Sequence, residues 1–200
     1  MSATRQPRVL VVYYSLTKQS ARVADAIMEA LSESGCDATK APIEFTDDRW
    51  LPKLIPPAAE RGGYDLVVLA SPTWWFQTSM PIRSYLEAPE AKAILDGTPF
   101  ATVSISRRYY GVNLRQQKKL AERDGGTFVD KAHFVAAGGQ VKSMLSWLGY
   151  MKHGEAQARV MGLQMPPPNL KPDFEDQATA FADGLVEGLA RRPTAVGAGT

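Results

Sequence analysis

One cysteine, two histidines and no long apolar run mark this chain of 200 residues. A lone Cys36 excludes an internal disulfide and reads as small buried filler after the helix-ending Gly35. Two histidines are too few for a zinc framework, so no metal is expected. Nothing approaches the roughly 18 apolar residues that a membrane span needs. The first eight residues are polar and run straight into a strand pattern, unlike a secretory signal, so the expected compartment is the cytoplasm. An excess of one charge is missing too. Lys and Arg number 23 against 21 Asp and Glu, a net charge of +2 that argues against a dedicated nucleic-acid binder. Neither G-x-x-x-x-G-K-[ST] nor G-x-G-x-x-G occurs, which weighs against a nucleoside triphosphate site and a dinucleotide fingerprint.

What is present alternates. Residues 8–14, 64–70 and 99–105 are continuous apolar, β-branched runs of the kind buried on both faces of a sheet. Residues 36–41 and 127–137 supply weaker strands. Helical spacing follows at Ala21, Ala24, Ile27 and Leu31, after Pro81, and in a polar stretch over 112–124. A last helix over 174–190 has Asp173 as its expected N-cap, and a short irregular helix is expected within 42–63. Strands separated by helices predict an α/β three-layer sandwich, a five-stranded parallel sheet with helices on both faces. One domain is expected over 1–200, with a loose tail at 191–200.

Ligands of such sheets bind at the carboxyl ends of strands, where strand order reverses. Three loops of unusual composition fall there. Ser15, Leu16, Thr17, Lys18, Gln19 and Ser20 lead into a helix N-terminus, which suits a phosphate held by hydroxyls and amides; the plainer reading is that Thr17 caps the helix. Pro72, Thr73, Trp74, Trp75 and Phe76 place three large aromatics in succession, to cover a flat ligand or to pack beneath the next helix. Ser104, Ser106, Arg107, Arg108, Tyr109, Tyr110 and Gly111 combine hydroxyls, aromatics and cations able to receive dinucleotide phosphates. Lys118, Lys119 and Arg123 read as a solvated helix face, and His133 as a core or rim residue.

These loops, in this order, resemble the flavodoxin-like fold and its FMN site. The resemblance covers residues 8–137 and resumes with the last helix. It implies a sheet of order 2-1-3-4-5 and contacts from residues 15–20 to the FMN phosphate. Pro72-Thr73-Trp74-Trp75-Phe76, with Met80-Pro81, is similar to the loop of flavin-dependent quinone reductases. That likeness implies that Thr73 to Phe76 lie along the isoalloxazine and residues 106–111 close its other side. Residues 138–171, with their Pro-Pro-Pro-Asn-Leu stretch, and residues 71–86 are also similar to dialkylresorcinol-forming or aromatising members, which implies the dehydrogenation or aromatisation of a cyclic diketone as an alternative.

Flavodoxin shuttles surround their flavin with acid, which opposes further negative charge. The three loops here hold no Asp or Glu, and Lys18, Arg107 and Arg108 favour two-electron hydride chemistry instead. The expected function is therefore an FMN-dependent oxidoreductase passing hydride from NAD(P)H to a quinone or another apolar ring substrate. Tyr109 and Tyr110 are its candidate catalytic residues. A non-catalytic FMN-binding electron-transfer or sensor protein is the reading from another class. Residues 138–171 hold four of seven methionines, an adaptable apolar surface that reads as a substrate lid, an edge cover or the face of a homodimer.

Overall fold

The computed structural model of the protein describes residues 5–45, 54–55, 62–136, 145, 159–164 and 169–191. Its strands are β1 (Arg8–Tyr13), β2 (Asp37–Pro42), β3 (Leu66–Trp74), the two-residue β4 (Gln77–Thr78), β5 (Pro99–Ser106) and β6 (Thr127–Val135). They lie in the order 2-1-3-5-6, all parallel, while β4 runs antiparallel to the end of β3. The predicted order, 2-1-3-4-5, counted five strands; β4 is the addition. It arises because β3 does not stop at Ala70 but continues four residues, to Trp74. Ser71 and Pro72 still pair with β5 there. The last bond toward β1, from the Tyr14 amide to the Ala70 carbonyl, spans 3.4 Å. Two residues on, Pro72 points the same way, where no strand needs an N–H.

Side chains alternate across this sheet and make two cores. Val9, Val11, Leu66, Val68 and Val103 pack beneath α1 (Gln19–Glu33) and the last helix. Leu10, Val12, Val67, Leu69 and Phe100 face α2 (Met80–Leu86), α3 (Pro89–Leu95) and α4 (Tyr110–Arg123). The last helix, α5 (Phe174–Ala190), inserts Phe174, Ala178, Phe181 and Leu185 beside α1. Burial on both faces is why the strands read as unbroken apolar runs, and each fully buried Leu or Val contributes about 1.5–3 kcal/mol.

Helix boundaries depart from expectation for local reasons. The helix after β4 is two helices, because Pro89 holds Ala88 extended at ψ 148° and starts α3 afresh. The polar helix begins at Tyr110 rather than 112. Asp173 flanks α5 as predicted but makes no side-chain cap; its carbonyl accepts from the Gln177 amide. Most of the stretch 42–63, where a short irregular helix is expected, lies outside the described residues; its described parts include a short ladder of Glu44–Phe45 with Leu54–Ile55. Of 138–171, the described parts include a small hairpin of Arg159–Val160 with Leu163–Gln164; the lid or dimer face expected there, and the tail beyond Arg191, lie outside the described residues.

The outer edge of β6 is blocked at successive outward positions. Asp130 accepts from the Lys131 amide at 2.7 Å, Gln177 donates to the His133 carbonyl at 2.9 Å, and the Lys171 amide donates to the Val135 carbonyl at 3.0 Å. A register shift at Phe100 and Ala101 bends the same pairing. Such devices keep an edge from recruiting another strand.

Candidate functional site

Because β1, β3 and β5 are parallel, the loops that follow them open at one edge of the sheet. The chain leaves β1 for β2 on one side and β3 lies on the other, so strand order reverses between the first and second loops.

In the first loop, Lys18 adopts the left-handed conformation (φ 61°) and is the N-cap of α1 without a side-chain cap bond. The cap expected of Thr17 falls to Ser15, whose Oγ accepts from the Ala21 amide at 3.1 Å. The Arg22 amide reaches the Lys18 carbonyl at 3.0 Å. Gln19 and Ser20, as the first two helical residues, have no intrahelical carbonyl for their amides. A left-handed residue running into a right-handed turn converges such amides into a concavity suited to an anion. Thr17 and Gln19 side chains lie 3.5 Å apart, and Gln19 Nε2 donates to the Asn169 carbonyl at 3.3 Å. Lys18 is exposed, Leu16 half-buried and Ser20 buried.

The second loop is a two-residue hairpin turn between paired Trp74 and Gln77. Trp75 (φ 48°) and Phe76 (φ 67°) both take positive φ, the geometry that Asn-Gly ordinarily fills. Bulky residues there are strained. Yet both rings stand out from the fold, 58% and 51% exposed. Trp74 instead turns inward, edge-on to Tyr14 at 5.7 Å, and so joins the first loop to the second. In the third loop Tyr109 is again left-handed (φ 60°) and meets Phe76 edge-to-face at 4.8 Å. That contact leaves no slot between the second and third loops for a flat ring, which must stack on an outer face or part the pair.

A buried polar network holds this arrangement from below. Asn113 is fully buried, and its Nδ2 faces the Ser71 carbonyl (3.2 Å), Thr73 Oγ1 (2.9 Å) and Ser104 Oγ (3.0 Å). Its Oδ1 accepts from Gln117 Nε2 at 2.8 Å, and its carbonyl accepts from Thr78 Oγ1 at 3.0 Å. Ser71 Oγ accepts from the Ser79 amide at 3.1 Å. Two members of this network, Thr73 and Ser104, were predicted to touch a ligand. The structure gives Ser104 to the interior, fully buried and 3.0 Å from Thr73 Oγ1, where it fixes the turn instead of lining the edge. Sequence reasoning missed Asn113 and Gln117. Their signal was spacing, four apart on one stripe with Leu114 and Ala121 of a helix read as merely polar.

The two candidate tyrosines diverge. Tyr109 goes to the aromatic turn; Tyr110 stacks on His133, with centroids 3.8 Å apart. His133 Nε2 lies 2.9 Å from Ser106 Oγ and 3.2 Å from the Ser106 carbonyl, so Ser106 is engaged with β6. Gly111 is the second residue of α4. Arg107 is half-buried, and loss of hydration pulls its pKa down, while Arg108 stands exposed with its guanidinium 6.0 Å from the Tyr109 ring.

Burial also lowers the His133 pKa below its ordinary 6.5, outweighing the Ser106 carbonyl that raises it, and nearby Lys171 lowers it further. The unfolded chain then binds the proton more readily. Stability is intact at neutral pH and is lost as pH falls through 6.5 toward the folded value. Urea midpoints taken from pH 8 to pH 5 are expected to decline more steeply for the natural protein than for His133→Asn.

Among the described residues no group of three His, Cys, Asp or Glu side chains is placed to hold a metal, and no helix is long and apolar enough to cross a membrane. No family model matches the chain, and no curated protein does. Solved structures do. The flavodoxin, WrbA-like protein from Agrobacterium tumefaciens matches with a TM-score of 0.59 at 14% identity, over 94% of this chain and 100% of that one. Oxidised flavodoxin 1 from Bacillus cereus gives 0.56 at 13% identity, over 90% and 97%. A flavoprotein from Lactobacillus acidophilus, solved in complex with FMN, gives 0.51 at 16% identity, over 64% and 93%. Likeness at these identities reports architecture, and with the strand order and switch point above it establishes that this chain has the flavodoxin-like fold.

Proposed function

We propose that the protein binds FMN and is an NAD(P)H-dependent oxidoreductase acting on quinone-like rings. The observation that carries this reading is the first loop. At the switch point of the sheet it offers the free leading amides of α1, the Ser15 and Thr17 hydroxyls and the exposed Lys18, beside half-exposed aromatic rings. This donor set fits a phosphate monoester without a metal, and the rings fit a flat heterocycle. Residues 15–20 would hold the phosphate; Trp75 would meet the ring system, and the Phe76–Tyr109 pair beside it would meet the substrate. The Lactobacillus flavoprotein supports the choice of FMN.

Bound there, FMN would supply hydride transfer, so that NAD(P)H and a proton convert a quinone to its hydroquinone by two electrons and two protons. The chain's own residues bind and orient. The Asn113 network fixes the aromatic turn, and the Tyr109 phenol stands exposed beside it to hydrogen-bond a substrate carbonyl. Tyr110 is held by its stack on His133. The absence of acid from the three loops disfavours a low-potential shuttle. A cytoplasmic homodimer, with residues 138–171 contributing an apolar wall or the dimer face, completes the proposal on the strength of their methionine content.

Titration of FMN fluorescence tests the first half. Saturable quenching is expected, and Thr17→Ala combined with Ser20→Ala is expected to weaken affinity at least ten-fold with the urea midpoint unchanged. Bleaching of the loaded protein by NAD(P)H alone tests the second. No binding overturns the flavin reading; binding without bleaching leaves the electron-transfer or sensor reading.

A further inference from the structure

The aromatic turn is bordered by a rim of cations. Over residues 71–86 and 104–119 the chain carries Arg83, Arg107, Arg108, Arg115, Lys118 and Lys119 and no Asp or Glu. Among the described residues several cations elsewhere are ion-paired, Arg5 with Asp65, Arg123 with Asp124 and Arg191 with Glu187. Lys118 at the far side of the rim pairs likewise, with Glu122. Next to the turn the cations meet neutral groups. Arg83 reaches the Gln77 side-chain oxygen at 3.4 Å, Arg115 donates to the Gly111 carbonyl at 3.2 Å, and the exposed Arg108 lies 6.0 Å from the Tyr109 ring centre.

Those cations border rings that the fold displays at a cost. Trp75, Phe76 and Tyr109 all hold positive φ, and all three are more than half exposed. Strain retained at one spot, with apolar faces turned outward, marks a surface kept for a guest. A neutral ring would use the faces and leave the charge idle. An arene bearing an anionic substituent uses both, since the guanidinium adjoining Tyr109 can receive the anion while the ring lies on the aromatic pair.

We infer that the ring substrate of this site is an anion, a planar arene bearing a carboxylate, sulfonate or phosphate, and that the exposed Arg108 beside the Phe76–Tyr109 pair selects it. This deepens the proposed function and rests on it for the identity of the site. By sequence Arg108 is one of the cations able to receive dinucleotide phosphates; the titrations below contain no NAD(P)H, so in them it reports on the ring ligand alone.

The test compares two probes of the same ring, 2-naphthalenesulfonate and 2-naphthol, by calorimetric titration of the FMN-loaded protein, or of the protein as purified if FMN does not bind. The sulfonate is expected to bind at least ten-fold tighter in 20 mM salt, and the advantage is expected to collapse in 300 mM salt through screening. Arg108→Glu is expected to abolish the preference and leave naphthol affinity unchanged. Arg108→Gln is expected to fall between, which separates charge from packing. Equal affinities for the two probes, or a variant that weakens both alike, overturns the inference even when FMN binding stands. A sulfonate preference in a protein that ignores FMN overturns the flavin reading and keeps the anionic-arene site.

Discussion

Asn113→Ala is expected to lower the unfolding free energy by about 3–4 kcal/mol, since buried groups left unpaired cost about 1–3 kcal/mol each. The side chain is fully buried and serves the Ser71 carbonyl, Thr73 Oγ1, Ser104 Oγ and Gln117 Nε2. Gln117 is already short of one bond, because its Oε1 has no partner, so it cannot absorb the loss. Urea denaturation measures the effect, and a loss below about 1 kcal/mol would show that the network adds nothing beyond the local packing.

The conservative change is more telling. Asn113→Asp keeps the volume but puts an acceptor against the Ser71 carbonyl, itself an acceptor. Burial raises the pKa of such a carboxyl above its unfolded value. Its stability is then present at acid pH and lost as pH rises through the folded pKa, the opposite slope to that given by His133. A variant that weakens with rising pH therefore identifies the donor role of the Asn113 amide.

The second large effect runs in two directions at once. Replacing Trp75 and Phe76 by Asn and Gly supplies the residues that this hairpin turn prefers, since both positions hold positive φ. Relief of left-handed strain is worth about 1–2 kcal/mol per residue. Loss of the Phe76–Tyr109 contact takes back about 0.5–1.5 kcal/mol. The variant is expected to unfold at a higher urea concentration than the natural protein. Its affinity for FMN and for naphthalenesulfonate is expected to fall at least ten-fold, as a stacking surface is worth about 1–3 kcal/mol per ring. Thermal or urea midpoints that drop, with binding retained, would show that the turn is a packing device and not a displayed one. Higher stability with lost binding is the signature of strain kept for function.

Legibility in the sequence followed burial. β1 and β5 were read nearly to their ends because both faces are covered, and an unbroken apolar run has few other uses. β3 was cut short at Ala70, since Ser71, Pro72 and Thr73 look like a loop by composition. They extend because β5 still runs alongside and β1 does not, a fact about neighbours rather than about those residues. The same holds at the site. The hydroxyl-rich corner was identified from composition, but the capping role passed from Thr17 to Ser15 because left-handed Lys18 sets where α1 begins. Ser104 looked like a ligand contact and is a strut, for its strand carries it beneath Asn113 of α4.

Local chemistry alone determined the layered α/β class, the parallel sheet, the three loops at its carboxyl edge and the lack of acid among them. Apolar period, turn residues and charge are properties of short segments, so no partner need be known to read them. Tertiary structure decided which side chains of those loops face outward. The strained display of Trp75 and Phe76, the parting of Tyr109 from Tyr110 and the burial of the Asn113 network depend on long-range contacts, among them Phe76 with Tyr109, Tyr110 with His133 and Asn113 with Thr73. Contacts of that range are set by how elements dock, and docking has no signature in any one segment.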